Sequence, residues 1–362
     1  MRLKKLNYKE FSKDGENNYW EIKDLILGKL NLLVGKNATG KTRTVNVISG
    51  LAEMITAQAP LTNGEFNIEF ITEADKTLIY ELKQVNGKVV YEKILLDGKE
   101  MLDRNEAKTK IVSTINGESE IEPPADKLVL HVRRDKKEYP YFEDLYEWAS
   151  NTVGYRFGKY DPSSIAIPGD NRSLLKSLDT VPSVFEKLKE DSIKEVINDF
   201  NKVGYELESA SLRLAGGVPI NPKVLFLKEK GVKFPIVQIN ISSGMLRAFA
   251  LLVAIQYLID EDRENGTVIV DDFGEGLDYE RSSNLAKVVF GKMEKNGIQF
   301  ITTTNDRFLM NAVDIENWNI LNREDDIVIA KNYANSKETF DKFKLTGLSN
   351  FDLFSSNFLS KE

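Results

Sequence analysis

The chain has no cysteine, and His131 is its single histidine in 362 residues. The first absence excludes a disulfide framework and thiol chemistry. The second excludes any triad or metal cluster that needs two imidazoles. Long apolar runs are also missing, and the N-terminus shows neither a basic nor an apolar leader. No membrane span and no signal peptide are therefore expected, and the cytoplasm is the expected location. Sustained heptads are absent, which excludes long coiled-coil arms. Positive charge is not in excess: a net charge of -7 argues against coating nucleic acid along the whole surface. Local basic patches stay open, because weak binding needs only a few phosphate contacts. What remains is an ordinary globular composition, with room for roughly two domains or one core with an insertion.

The most informative stretch is NLLVGKNATGKTRTVNVISG, residues 31–50. Within it, Gly35 to Thr42 satisfies G-x-x-x-x-G-K-[ST], the phosphate-binding loop. At average composition such a match arises by chance in roughly one chain of this length in a hundred, and the flanks lower those odds. Leu30, Leu32, Leu33 and Val34 make a short apolar strand, and residues 41–56 space Val45, Ile48, Ala52 and Ile55 helically. Strand, glycine turn and helix are what phosphate binding requires. Backbone N–H groups at a helix N-terminus donate to phosphate, and glycine permits close approach and positive φ. Lys41 is expected on the β- and γ-phosphates and the Thr42 hydroxyl on Mg²⁺. Gly35, Asn37, Gly40, Lys41, Thr42 and Arg43 are the candidate nucleotide-binding residues of this loop.

A phosphate loop needs an acidic partner at the end of a buried strand. GTVIVDDFGEGLD, residues 266–278, supplies one: Thr267 to Val270 are β-branched, as suits a strand buried on both faces. Asp271 falls at the strand's C-terminal end, where open α/β sheets bind ligands. It is expected to hold Mg²⁺ through water, with Asp272 orienting and deprotonating the attacking water.

At this point the sequence resembles ABC-type ATPases. VDDFGEGLD matches their Walker B and D-loop segment, in which an Asp-Glu pair is followed six residues later by an aspartate, here Asp278. Asp272 stands where that family usually has glutamate, which implies slow hydrolysis, because a misplacement of roughly 1 Å can cost about a hundredfold. Upstream, ISSGMLRAFALLVAIQYL, residues 241–258, resembles the ABC signature in the SSG-x-x-R form of SMC-like and RecF-like proteins. There the turn, here Ser243 and Gly244, binds the γ-phosphate held by a second subunit. QFITTTND, residues 299–306, is similar to the strand that ends in a switch histidine. This chain offers Asn305, which can contact phosphate or water but carries no proton at neutral pH. The Q-loop glutamine has no assignment; Gln58 is the nearest candidate.

Four motifs in order imply an α/β fold: an ABC-type P-loop ATPase head with a β-rich lobe and an inserted helical region. The expected divisions are 1–132, an N-terminal lobe with the P-loop and a β-rich segment; 133–222, the inserted helical region; and 223–362, a C-terminal lobe with signature, Walker B, D-loop and switch strand. Within the class the chain is similar to compact bacterial AAA-type proteins, a group that includes the ATPase parts of OLD-type nucleases and several anti-phage systems. The resemblance implies ATP and Mg²⁺ as cofactors, with Asp272, Lys41 and Asn305 as catalytic residues. It also implies a homodimer sharing two ATP molecules and a separately encoded effector, for which a nuclease is one candidate. The alternative is a DNA repair or maintenance ATPase that clamps DNA. A transporter subunit fits less well, since those heads carry a fuller signature and a switch histidine.

Elsewhere, residues 65–132 read as strands, FNIEFIT, TLIYELKQV, KVVYEKILL and KLVLHV, with VNG as a hairpin and His131 packed on the last strand. VFEKLKEDSIKEVINDFNKV reads as one helix burying Phe185, Leu188, Val196, Phe200 and Val203. Tyr19 or Trp20 is a candidate for stacking on adenine, although core packing is the plainer role. Arg133, Arg134, Lys136 and Lys137 read as a solvated cluster. The last fifty residues offer no acidic metal-ligand series and so no added nuclease domain.

Overall fold

Strands with two burial patterns join into one sheet in the computed structural model, which describes residues 1–12, 18–167, 177–215, 221–261, 265–356 and 358. The chain opens with β1 (Arg2–Phe11), β2 (Asn18–Ile26) and β3 (Leu30–Val34), and then α1 (Lys41–Ile55). An antiparallel run follows: β4 (Gly64–Ile71), β5 (Thr77–Val85), β6 (Lys88–Leu96), β7 (Lys99–Arg104), β8 (Thr109–Ser113) and β9 (Gly117–Ile121). Next come α2 (Pro140–Asn151), β10 (Val153–Arg156), α3 (Val181–Lys187), α4 (Glu190–Val203), β11 (Leu207–Leu214), β12 (Lys223–Glu229) and β13 (Ile236–Val237). The second half holds α5 (Ser243–Asp260), β14 (Thr267–Asp271), α6 (Tyr279–Lys295), β15 (Gln299–Thr303) and α7 (Arg307–Ala312). It closes with β16 (Trp318–Glu324), β17 (Ile327–Asn332), α8 (Lys337–Lys344) and α9 (Asn350–Ser355).

Among the described residues the sheet has 14 strands, in the order β10-β14-β15-β3-β16-β17-β2-β1-β4-β5-β6-β7-β8-β9. From β10 to β16 the neighbours are parallel, and from β2 outward they are antiparallel. β14 and β15 are buried at every position, as parallel strands covered on both faces must be. β5 instead alternates, with one face inward and one wet. Its hairpin to β6 turns at Asn86 and Gly87, both at positive φ, as a two-residue turn matching the sheet twist demands.

Helices cover the parallel half. α1 buries Val45, Ile48, Leu51, Ala52 and Ile55. α5 is long and apolar enough to cross a membrane by length and composition, yet 78% of it is buried inside the protein, where it packs on α3 and α4. Residues 133–222 are not wholly helical: α2 lies on α1, β10 joins the central sheet beside β14, and β11 pairs with β12 beyond residue 222.

Three local expectations are corrected. The 184–203 helix is two helices, broken where Leu188 turns extended (ψ 141°), while its five apolar anchors are all buried. The KLVLHV segment is not a strand: Val129–His131 forms a short 3₁₀ turn, and the half-buried His131 ring sits 3.1 Å from the Ile55 carbonyl. Strands β7 to β9 were not singled out, because β7 and β8 are only six and five residues long and β9 is exposed from Gly117 to Glu120 and carries no alternation.

Candidate functional site

Gly35 follows β3 and opens the loop that ends at Gly40, where α1 begins. Gly40 has φ 98°, and a Cβ there would lie 3.0 Å from the buried Trp20 ring, so both conformation and packing require glycine. The Lys41 ammonium donates to the Gly35 carbonyl at 2.6 Å and to the Lys36 carbonyl at 3.3 Å. Burial lowers its pKa, against the pull of Asp272 and Asp271. The loop thus closes on its own cation. Asn37 is exposed at its crown.

β14 delivers Asp271, nearly fully buried, to the same point. Its Oδ1 accepts from the Thr42 hydroxyl at 3.1 Å and from the Thr303 hydroxyl at 2.6 Å. Its Oδ2 lies 3.4 Å from Arg156 Nε. One hydroxyl comes from the loop helix and one from the neighbouring strand, so parallel register brings three distant segments onto one carboxylate. Asp272 follows in the left-handed region (φ 55°), which aspartate tolerates, and its N–H donates to Thr303 Oγ1 at 2.9 Å. Burial raises the Asp272 pKa, as do Asp271 and Glu275, while Arg156 and Lys41 oppose the rise.

Arg156, Thr303 and Glu275 were not singled out from the sequence. Arg156 ends β10, opposite Asp271 in register. Thr303 lies two residues before Asn305, which is exposed and forms no side-chain hydrogen bond among the described residues. The side chain of Glu275 lies over Gly158, where a Cβ would meet its carboxylate oxygen at 2.1 Å. Gln58 is exposed beyond α1 and lines a cavity of about 460 Å³ that Arg156, Lys159 and Asp271 also line. Of these, Arg156 is the one that contacts Asp271.

The other predicted residues divide. Ser243 is exposed at the first turn of α5. Gly244 is packed so closely on the loop after β14 that a Cβ would come 2.8 Å from the Gly276 carbonyl. Asp278 caps α6 by accepting the Arg281 N–H at 3.0 Å, and it pairs with that residue's guanidinium at 2.6 Å. Among the described residues no hydrogen bond or ion pair links Ser243, Gly244 or Asp278 to the phosphate loop. Arg43 is engaged by Glu10 at 2.7 Å and lies over the rings of Tyr19 and Trp20 at 4.9 and 4.8 Å. Trp20 is core; Tyr19 is exposed beside it. In the basic stretch Arg134 pairs with Glu143 at 2.9 Å and stacks on Tyr146.

A hydroxyl and a carboxylate 3.1 Å apart, with an ammonium beside them at a helix N-terminus, form a donor set suited to a magnesium-bound phosphate. Among known proteins, residues 93–311 match the family described as "AAA domain, putative AbiEii toxin, Type IV TA system". That match is well over half of the chain and begins beyond the phosphate loop. No curated protein sequence matches the chain. Among solved structures, it is similar to an SmcHead bound to the C-winged helix domain of ScpA. That likeness has a TM-score of 0.53 and 15% identity over 93% of this chain and 100% of that one. It is also similar to an Smc head domain with an extended coiled coil, bound to the C-terminal domain of ScpA, from Pyrococcus furiosus. Here the TM-score is 0.51 and the identity 14%, over 95% and 99%. At such identities the likeness is one of fold.

Proposed function

The chain belongs to the AAA-domain family matched by its residues 93–311, and from that premise we propose a magnesium-dependent ATPase switch that pairs head to head around ATP. The observation that carries this reading is the meeting of Thr42 with Asp271, 229 residues apart in sequence, at 3.1 Å. Lys41, now on loop carbonyls, binds the β- and γ-phosphates with the backbone of Gly35, Asn37 and Gly40. Thr42 and Asp271 hold Mg²⁺, which neutralises charge on the phosphates. Asp272 accepts a proton from the water that attacks the terminal phosphate, giving ADP and phosphate. Its short side chain makes the reaction slow. Arg43 supports the loop by fixing Tyr19 and Trp20.

Ser243 and Gly244 complete the partner's site rather than their own, with Asp278 and Asn305 facing the shared interface. The contact of Gly244 with the Gly276 carbonyl supports a link between the two halves, because the signature turn rests on the loop that follows Asp272. The closed dimer acts on a separately encoded effector in the cytoplasm. The family description, which names a toxin of a type IV toxin–antitoxin system, supports a setting in anti-phage defence.

Light scattering with and without Mg-ATP tests the switch. Asp272→Asn should trap ATP and double its mass only when ATP is present, whereas Lys41→Ala should stay at the nucleotide-free mass. One unchanging mass for wild type and both variants would rule out the head-to-head mechanism.

A further inference from the structure

Asp271 is held asymmetrically. Its Oδ1 is satisfied by two hydroxyls, while among the described residues its Oδ2 has only the long 3.4 Å contact with Arg156 Nε. The backbone fixes where that arginine begins: Arg156 is in register with Asp271, and the Phe157 N–H donates to the Asp271 carbonyl at 3.0 Å. The guanidinium end is not fixed. The side chain is 43% exposed, and among the described residues its other N–H groups make no hydrogen bond. A planar fork of five donors using one of them, beside a phosphate loop, has unused capacity for an anion.

We propose that Arg156 is a phosphate-sensing residue that holds Asp271 in the nucleotide-free subunit and turns to the terminal phosphate of ATP bound in that same subunit. This rests on the ATP-binding reading above and extends it. Thr42 and Asp271 would hold a divalent ion, whose charge would compete with Arg156 for the carboxylate and favour a turn of the guanidinium toward the nearest negative group. Thr42 and Arg156 meet on the two oxygens of Asp271, at 3.1 and 3.4 Å, so phosphates held by the loop that carries Thr42 would come within reach of the guanidinium. ADP lacks the group that Arg156 would meet. Arg156 therefore discriminates ATP from ADP within one subunit, before any partner's signature turn engages.

The test is calorimetric titration of the full chain with Mg-ATP and Mg-ADP, for wild type, Arg156→Gln and Arg156→Lys, with thermal melting to confirm folding. Arg156→Gln should lower the preference for ATP over ADP about tenfold, the scale of one charge-assisted hydrogen bond, by weakening ATP while ADP binding stays within about twofold. Arg156→Lys, which keeps the charge and loses the fork, should fall between. An unchanged preference in Arg156→Gln, or equal weakening of both nucleotides, would overturn the proposal while leaving the ATP-binding reading intact. Wild type that binds neither nucleotide would overturn both.

Discussion

Asp271 and Glu92 are both buried carboxylates, and each has a hydroxyl and an arginine beside it. In the antiparallel lobe, Glu92 accepts from the Tyr80 hydroxyl at 3.0 Å and from the Val129 N–H at 3.0 Å, with Arg104 at 3.6 Å. Arg104 is itself buried, and it is spent: it donates to the Lys127 carbonyl at 2.7 Å and to the Pro124 carbonyl at 3.0 Å. At the mouth of the parallel strands, Arg156 is partly in water with donors to spare. The same residue types therefore make a closed network that pins residues 124–130 to the lobe in one region, and an open one in the other. Burial of charge does not mark a ligand site; unspent hydrogen-bonding capacity beside buried charge does.

The sharpest way to break this comparison is to delete each carboxylate. Glu92→Ala leaves the buried Tyr80 hydroxyl and Val129 N–H without their acceptor and should cost about 2–5 kcal/mol of stability, with Mg-ATP affinity within about threefold. Asp271→Ala should do the reverse. On the proposed metal role its loss should weaken Mg-ATP binding by about a hundredfold or more, since even outer-shell partners of a metal are worth 10–100-fold, while the two lost hydroxyl bonds should cost only about 1–2 kcal/mol of stability. Urea denaturation beside calorimetric titration reads both, and equal behaviour of the two variants would erase the distinction.

Legibility in the sequence follows the same division. The phosphate loop and β14 were readable because their signals are local: glycine spacing, a β-branched run and an acid at its end. Arg156 was not, since VGYRFGKY carries no motif, and only the pairing of β10 with β14 sets it against Asp271, 115 residues away. Thr303 was passed over for Asn305 because the resemblance points to the loop beyond the strand, whereas the contact comes from the strand's last residue. The longer lobe strands with alternation were readable, whereas β8, alternating over only five residues, and β9, exposed from Gly117 to Glu120, were not. Glu92 had no signal at all, because a glutamate on an alternating strand reads as solvent-facing until three segments close over it.

A second test uses pH. Burial pushes the Glu92 carboxyl up to about 7 from 4.5, against the opposing Val129 N–H, Arg104 and Tyr80. Between those two values the folded protein keeps a proton that the unfolded chain has released, so stability should fall as pH rises through that window and level off above it. The full change should be roughly 3 kcal/mol, at 1.36 kcal/mol per pKa unit. Asp272 and Asp144 are also raised and add to the slope in the same direction. Glu92→Gln should therefore flatten the curve without abolishing it. Denaturation midpoints at four pH values from 4.5 to 7.5 measure this, and an unchanged slope in the variant would remove Glu92 as its source.

The smallest effects come from the hydroxyls, and they sharpen the comparison most finely. Tyr80→Phe deletes one buried hydrogen bond and should cost about 1 kcal/mol of stability, and Thr303→Val, of nearly unchanged shape, deletes two and should cost about 1–2 kcal/mol. Their consequences should then part. Tyr80 serves a closed network, so its loss stays a matter of stability. Thr303 holds Asp271 and also receives the N–H of Asp272, the residue held at positive φ. Without it the two aspartates lose their common brace, and the side chain proposed to accept the water's proton is free to drift. Thr303→Val should therefore slow phosphate release from ATP about tenfold, while Tyr80→Phe leaves the rate within about twofold. A phosphate-release assay on the two variants at matched folded fraction decides the matter. Equal rates would mean that the hydroxyl on β15 is as structural as the one on β5.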